Sequence, residues 1–254
     1  MNPSDWPRLL RSGRLGRVVV YEDVTTSTME MAERQLARGA IAEGTVFMAG
    51  RQTLGRGTGE RRWESTTPEG LWQTIVFDAP ERSDKAPIVF LTGVAVSTFL
   101  RARHAIDAHP KWVNDVIVDG KKISGTLVRR LGDKYLVGVG LYVNQGAMAG
   151  EAGSVGVSMR MLTGEAHELA QVWVDLMDAL NAEYDAPGSI VARMRAECRM
   201  LGRRVTAKHV VDGSTRAFTV LAIEDNGHLR VRDDEGVEQV WHSPDPWRFA
   251  ADGY

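Results

Sequence analysis

The stretch KWVNDVIVDGKKISGTLV, residues 111–128, carries the strongest fold signal in this chain. Asp119-Gly120 separates two runs rich in β-branched residues, and a type I′ turn needs two residues that tolerate positive φ. We therefore predict a hairpin with strands at residues 116–118 and 121–128. Because side chains alternate between faces along a strand, Lys122 and Ser124 share a face that Lys121 does not.

Segments on both sides of this hairpin alternate between strand and helix patterns. Further strands are predicted at residues 18–21, 45–49, 71–77 and 137–143. A helix is predicted over residues 28–38, because Ser27 and Glu30 have capping-box spacing and Gly39 provides an end signal. A buried apolar helix is expected at residues 86–100, and an amphipathic helix at residues 165–184.

The last quarter of the chain shows a different pattern. After a short helical stretch to about residue 200, strand-like alternation continues to residue 250, interrupted by Asp-Gly and Asn-Gly turns. We therefore predict an α+β fold, in which residues 1–197 form a mixed sheet with packed helices and residues 198–254 form a small β-barrel.

Composition and charge exclude several classes of protein. With 43% hydrophobic residues, 25% charged residues and a net charge of -2, the chain is typical of soluble globular proteins and has no overall attraction for DNA. Cys198 is the only cysteine, which excludes an internal disulfide and fits a reducing compartment. Residues 86–100 are too short and polar to span a bilayer, and no secretory signal is visible. We expect a cytoplasmic protein.

Residues 51–63, RQTLGRGTGERRW, form a glycine-rich basic segment, which we call the glycine loop. Alternating glycines free the backbone, and arginines supply forked donors suited to a phosphate. The spacing matches neither common nucleotide-binding fingerprint, so an exposed hairpin end is an equal alternative. Lys111, Asn114, Asp115 and Lys122 form a second candidate site, although an ordinary solvated hairpin carries similar residues.

Taken together and in order, these segments resemble the biotin–protein ligase family. Its GRGRxGRxW motif is similar to residues 55–63, its KWPND motif to residues 111–115 and its KxxGxL segment to residues 122–127. A DSTN-like helix start resembles residues 26–29, and a GxGxNVN strand resembles residues 138–144. The resemblance implies a ligase that uses ATP to form biotinyl-5′-AMP and then biotinylates a lysine of a biotin carboxyl carrier domain.

The resemblance also implies roles for individual residues. Biotin has a ureido ring whose polar groups need partners when buried, and the residues implied to bind it are Ser27, Thr28, Gln52, Gly55, Arg56, Lys122, Gly125, Gly138 and Gly140. Those implied to bind ATP or the adenylate are Arg56, Gly57, Thr58, Arg61, Trp63, Asn114, Lys122, Tyr142 and Asn144. Ser27 has an alternative role as a helix cap, and Trp63 as a core aromatic residue.

Catalysis needs cations where two anions meet, and a group that assists the acceptor lysine. Lys122, Arg61 and Lys111 are the candidate cations, and Asp115 is the candidate base, or alternatively a turn-forming residue. Mg²⁺ is expected with ATP, but the sequence shows no dedicated carboxylate cage. A homodimer is possible.

The chain departs from the family motifs at four positions. Thr58 replaces an arginine, Glu60 a glycine, Tyr142 an asparagine and Met29 an asparagine. These changes leave open a lipoate-type ligase of the same superfamily, or a catalytically weakened protein that binds biotin or a carrier. An octanoyl transferase would need a cysteine nucleophile, and Cys198 is far from the loop. Only about 17 residues precede the first strand, so we expect the type without a DNA-binding domain.

Overall fold

A seven-stranded mixed sheet forms the centre of the computed structural model, which describes residues 1–59, 61–79, 86–148, 152–186, 188–243 and 247–249. Its strands are β1 (Val19–Thr25), β2 (Val46–Gln52), β3 (Gly70–Asp78), β4 (His109–Lys111), β5 (Asp115–Val118), β6 (Lys121–Leu131) and β7 (Lys134–Tyr142). They lie in the order β1-β2-β3-β7-β6-β5-β4. β1 and β2 are parallel, and the other neighbouring pairs are antiparallel.

The predicted hairpin is present between β5 and β6. Asp119 and Gly120 have φ values of 47° and 74°, as a type I′ turn requires. A register shift follows between Val116 and Ile117, after which Asp115 lies opposite Gly125. The hairpin therefore places the start of β5 beside Gly125 in the interior of β6.

Helices cover both faces of the sheet. They are α1 (Thr28–Leu36), α2 (Ala86–His104), α3 (Ala152–Val155), α4 (Met159–Thr163), α5 (Leu169–Asp185) and α6 (Ile190–Glu197), preceded by a 3-10 helix at Pro3–Leu9. α1 packs Met29 and Ala32 against Phe47 and Val76 on one face. The larger core lies on the other face, beneath α2 and α5.

The amphipathic helix predicted at residues 165–184 is confirmed as α5. Its apolar stripe is buried against the sheet, and comprises Val172, Trp173, Leu176, Met177 and Leu180. The predicted apolar helix is confirmed as α2 and continues to His104. α2 is apolar on two sides because it touches two cores: Leu91 and Phe99 face the large core, whereas Phe90 and Val94 face a second one.

A second sheet follows α6, as the carboxy-terminal alternation predicts. Its strands are β8 (Arg204–His209), β9 (Thr215–Ile223), β10 (Leu229–Asp233), β11 (Glu238–Trp241) and β12 (Trp247–Phe249), in the order β11-β10-β9-β8-β12. All neighbouring pairs are antiparallel. Trp241 and Phe249 bring the two edge strands into ring contact at 5.4 Å, although no ladder joins these strands within the described residues. The small β domain is confirmed as a curled sheet.

The second core joins this sheet to the rest of the chain. Val191 and Met194 of α6 and Trp112 pack with the apolar face of the sheet. The Trp112 indole N–H also donates to the Gly227 carbonyl at 2.9 Å. The boundary predicted at residue 197 coincides with the end of α6, and it stays a prediction because this core contains residues from both sides.

Candidate active site

A cleft of about 1030 Å³ opens between the start of α1, the glycine loop and the strands β3, β7 and β6. Most of the predicted site residues line it: Ser27, Thr28, Gln52, Arg56, Gly57, Thr58, Arg61, Trp63, Asn114, Lys122, Gly125, Gly138, Gly140 and Tyr142. Motifs that lie far apart in the sequence therefore share one cavity. Its size is that of a small-molecule site.

One part of the cleft is lined by buried neutral polar groups. Thr28 donates its backbone N–H to the Gln52 side-chain oxygen at 2.8 Å, and its hydroxyl lies 2.9 Å from that of Thr74. The Gln52 amide nitrogen donates to the Ser65 hydroxyl at 3.0 Å. Buried polar groups are stable only when paired, so this network is suited to a neutral ligand that supplies both donors and acceptors.

Ser27 starts α1 as its N-cap, since its hydroxyl accepts the Met29 N–H at 3.2 Å. The predicted capping box is only half formed. Glu30 accepts the Thr26 hydroxyl at 2.5 Å and is ion-paired with Arg56 instead of returning to the cap. The Thr26 hydrogen bond, with help from Arg56 and against burial, holds the pKa of Glu30 below its ordinary value. Arg56 is therefore attached to α1.

The glycine loop folds back on itself as a short hairpin. Gly57 donates its N–H to the Arg61 carbonyl at 2.8 Å, and Trp63 donates to Gly55 at 2.9 Å. Arg56 and Arg62 form an isolated bridge between the two arms. Glu60, one of the departures from the family motif, lies outside the described residues. Three of its arginines line the cleft: Arg56, Arg61 and Arg62.

Trp63 lies in a narrow slot of the cleft. Its ring stacks on Tyr142 with centroids 4.9 Å apart and planes at 9°, and the Lys122 ammonium lies 4.8 Å from the ring centroid. A Cβ at Gly140 would lie 2.5 Å from the indole nitrogen, and one at Gly125 would lie 2.9 Å from the ring. Glycine is therefore required at both positions for the flat ring to fit.

Lys122 forms the centre of a small charge cluster. Its ammonium lies 2.5 Å from the Asp115 carboxylate, and Lys111 lies opposite Asp115 in the β4–β5 ladder. Burial opposes ionisation of Asp115, but the charges of Lys122 and Lys111 outweigh it and hold the pKa of the carboxyl below its ordinary value. Burial lowers the pKa of Lys111, although Asp115 opposes the shift. Asp115 is thus the ionised partner of Lys122.

Four predicted site residues lie outside the cleft lining: Gly55, Lys111, Asp115 and Asn144. Gly55, within the glycine loop, packs so closely on Ser65 that an added Cβ would clash with the Ser65 hydroxyl oxygen. Asn144 is engaged in structural bonds, because its amide nitrogen donates to the His167 carbonyl and its oxygen accepts the His167 N–H, both at 2.8 Å. The geometry gives no direct support to an adenylate contact by Asn144, which stays a prediction.

Several lining residues were missed by the sequence argument: Trp72, Gln73, Thr74, Thr126, Val139, Arg62, Glu64 and Arg248. Alternation along β3 accounts for Trp72 and Thr74, which share one face of the sheet. Arg248 reaches the cleft from β12, and a Cβ at Gly59 would lie 3.7 Å from its guanidinium. No local motif predicts that contact, because it depends on how the two sheets pack together.

The described residues give two further limits on the chemistry. Within the described ranges, no group of three His, Cys, Asp or Glu side chains could hold a metal ion, and no helix is long and apolar enough to cross a membrane. Cys198 is 5% exposed in the second core, and burial raises the pKa of its thiol. A thiolate nucleophile at Cys198 is therefore disfavoured.

Comparison with known proteins gives consistent results. Residues 21–145 match the model of the Biotin/lipoate A/B protein ligase family. The chain is 27% identical over 243 residues to the bifunctional ligase/repressor BirA of Bacillus spizizenii, an alignment that covers 91% of this chain and 74% of that protein. It is 33% identical over 129 residues to a biotin–[acetyl-CoA-carboxylase] ligase of Mycobacterium tuberculosis, covering 48% and 47% of the two chains.

Among solved structures, the fold is similar to that of the biotin protein ligase from Aquifex aeolicus in complex with biotin and ATP. The TM-score is 0.76 at 23% sequence identity, and the superposition covers 91% of this chain and 97% of that one. At this level of identity the similarity shows the shared fold.

Proposed function

Because residues 21–145 match the model of the Biotin/lipoate A/B protein ligase family, we propose that the chain is an ATP-dependent biotin–protein ligase. It would join biotin to ATP as biotinyl-5′-AMP and transfer the biotinyl group to a lysine of a biotin carboxyl carrier domain. The observation that carries this proposal is one cleft that combines buried neutral polar groups with a cationic region.

Biotin is assigned to the neutral part of the cleft. Its ureido ring has N–H donors and a carbonyl acceptor, which match the amide and hydroxyl groups of Gln52, Thr28 and Ser27. These residues are 7%, 4% and 2% exposed and are already hydrogen-bonded within the protein, so a ligand with both donors and acceptors would use the bonding capacity that they have left. This polar network favours biotin over lipoate, whose ring is a dithiolane without N–H groups.

The carboxylate of biotin then attacks the α-phosphorus of ATP, and pyrophosphate leaves. Negative charge accumulates between two anions during this step, and cations that are already in place stabilise it. Lys122 and Arg61 line the cleft and are assigned to this role, with Arg56 beside them. Asp115 holds Lys122, so we assign Asp115 to positioning in the first half-reaction. Lys111 supports the cluster from behind the lining.

Adenine is assigned to the aromatic slot formed by Trp63 and Tyr142. The two rings are stacked on each other, and the indole of Trp63 fills the space beside Gly140 and Gly125, so adenine would extend this stack from outside rather than enter between the rings. Lys122 beside the Trp63 ring suits the phosphate side of a nucleotide. Mg²⁺ would enter with ATP. Glu64 is the carboxylate on the described part of the lining, so the metal would be held mainly by the phosphates with Glu64 nearby.

In the second step the ε-amine of the acceptor lysine attacks the biotinyl carbonyl, loses a proton and displaces AMP. The acceptor is a carrier domain by analogy with the biotin ligases to which the chain is similar. We place this reaction in the cytoplasm. A homodimer stays a prediction that sedimentation velocity of the purified chain would check.

The proposal is tested by incubating the protein with Mg-ATP, a carrier domain and either biotin or lipoate, and then measuring the intact mass of the carrier, which reports addition of either acyl group. We expect product with biotin and no product when lipoate replaces it. Lys122→Ala should abolish labelling, whereas Lys121→Ala, an exposed neighbour on the other face of β6, should retain it. Labelling by lipoate alone, or equal activity of both variants, would contradict the proposal.

A further inference from the structure

Thr58 connects the glycine loop to a second part of the cleft. Its hydroxyl oxygen accepts a hydrogen bond from the Asn114 amide nitrogen at 3.2 Å. Asn114 lies in the turn between β4 and β5, 56 residues after Thr58 in the sequence. Both residues line the cleft. The loop is therefore attached at Thr58 to Asn114 and at Arg56 to Glu30 of α1.

The same bond determines whether the Asn114 side chain can donate or accept a further hydrogen bond. Its amide nitrogen has two hydrogens, and it also donates to the Thr126 carbonyl at 2.8 Å. Both donor hydrogens are thereby used, which leaves the amide oxygen as an acceptor. The Thr58 hydroxyl, which accepts from Asn114, keeps its own hydrogen to donate.

An arginine at position 58 could not make this bond. The glycine motif that this segment resembles has arginine there, and a guanidinium has five donors but no acceptor. It would place a second donor against the Asn114 amide nitrogen. The replacement by threonine loses a cation but supplies the acceptor that attaches the loop.

We propose that Thr58 is a positioning residue, which holds the glycine loop against Asn114 in the free protein and keeps the Asn114 amide as an acceptor for the nucleotide. The nucleotide part rests on the proposed function, whereas the attachment of the loop does not. A neutral hydrogen bond of this kind changes an equilibrium by about 2- to 10-fold. Removing it should increase opening of the loop by that factor.

Limited trypsin digestion of the free protein tests the attachment, because Arg56, Arg61 and Arg62 supply cleavage sites within the loop. Thr58→Val keeps the shape and removes the acceptor, whereas Thr58→Ser keeps the hydroxyl. We expect cleavage in the loop, identified by mass spectrometry, to be about 2- to 10-fold faster in Thr58→Val and unchanged in Thr58→Ser. Thr215→Val, at an exposed site on β9, controls for the substitution itself.

Two further comparisons make the result specific. In an Asn114→Ala background, Thr58→Val should add no further acceleration, because the shared bond is already lost. Thr58→Val should also raise the KM for ATP by about 2- to 10-fold with a smaller change in kcat, and Thr58→Ser should restore it. Equal digestion of Thr58→Val and the unchanged protein, or a Thr58→Ser variant that behaves like Thr58→Val, would overturn the proposal. If the protein makes no adenylate, the digestion still decides the attachment.

Discussion

Replacing Asp115 by Asn separates two roles that this carboxylate can have. As the partner of Lys122 it would act in the formation of biotinyl-5′-AMP, whereas as a general base it would act in transfer to the acceptor lysine. The structure favours the first role, because Asp115 is bonded to Lys122 at 2.5 Å and lies outside the cleft lining. Asparagine preserves the shape and removes the charge.

The size of the effect follows from the exposure of the pair. A charge-assisted hydrogen bond contributes about 1.5 to 3 kcal/mol. Since Lys122 and Asp115 keep 25% and 23% of their side-chain surface exposed, we take the lower value, about 1.5 kcal/mol, because water screens part of the interaction. That free energy corresponds to roughly a 10-fold slower formation of the adenylate.

The two half-reactions can be assayed apart. Pyrophosphate release reports the first step, and transfer from preformed biotinyl-5′-AMP to the carrier domain reports the second. Asp115→Asn should slow pyrophosphate release about 10-fold and change transfer by less than about 2-fold. The matched control is Asp119→Asn, which makes the same change in the exposed β5–β6 turn, where asparagine is well tolerated. A loss of about 100-fold or more confined to transfer would refute the positioning role in favour of a general base.

The same variant predicts a pH dependence of stability. The folded pKa of Asp115 is lowered, so the carboxylate stabilises the protein above the pKa of an unfolded aspartate and this contribution is lost as the pH falls through the folded value. At pH 7 the unchanged protein should therefore be more stable than Asp115→Asn by the whole contribution of the carboxylate. This difference in unfolding free energy should shrink below about pH 4. Urea unfolding at pH 7 and at a pH below about 4 measures this difference in stability. A difference that grows in acid would contradict the assignment of Asp115 as the ionised partner of Lys122.

Two other substitutions and one labelling experiment test separate parts of the structure. Gly140→Ala should raise the KM for ATP about 10-fold, because the new methyl group meets the Trp63 indole and overpacking of this kind costs about 1 to 3 kcal/mol. As a control, Gly39→Ala adds a methyl group that meets nothing within 4 Å, and the KM for ATP should stay unchanged. Asn181→Ala should lower the free energy of unfolding by about 2 to 3 kcal/mol in urea titrations, since it leaves the buried Leu15 N–H unpaired; a loss below about 0.5 kcal/mol would refute this. Cys198 should react with a thiol reagent only after denaturation, and rapid labelling of the native protein would contradict its burial.

Local signals in the sequence predicted most of the elements. Asp119-Gly120 specified a type I′ turn by its tolerance of positive φ, and the stripe on α5 specified which face is buried. The ordered motifs also identified most of the cleft lining, because their residues lie on neighbouring strands of one sheet and on the loop above them.

Contacts between distant segments were not predictable in this way. Glu30 has capping-box spacing, yet it pairs with Arg56 because the loop brings an opposite charge to the helix start. Arg248 reaches the cleft, and Trp112 bonds Gly227, only because the second sheet docks on α2, α6 and Trp112. Asn144 matched a motif, but its amide is used by the His167 backbone. Each of these outcomes depends on packing that no single window of sequence contains.

The most direct test of the central claim is the intact mass of a biotin carboxyl carrier domain after incubation with this protein, biotin and Mg-ATP. We expect a gain of one biotinyl group on a single lysine of the carrier, with release of AMP and pyrophosphate and a strict requirement for both biotin and ATP. An unchanged carrier mass together with no detectable biotinyl-5′-AMP would contradict it.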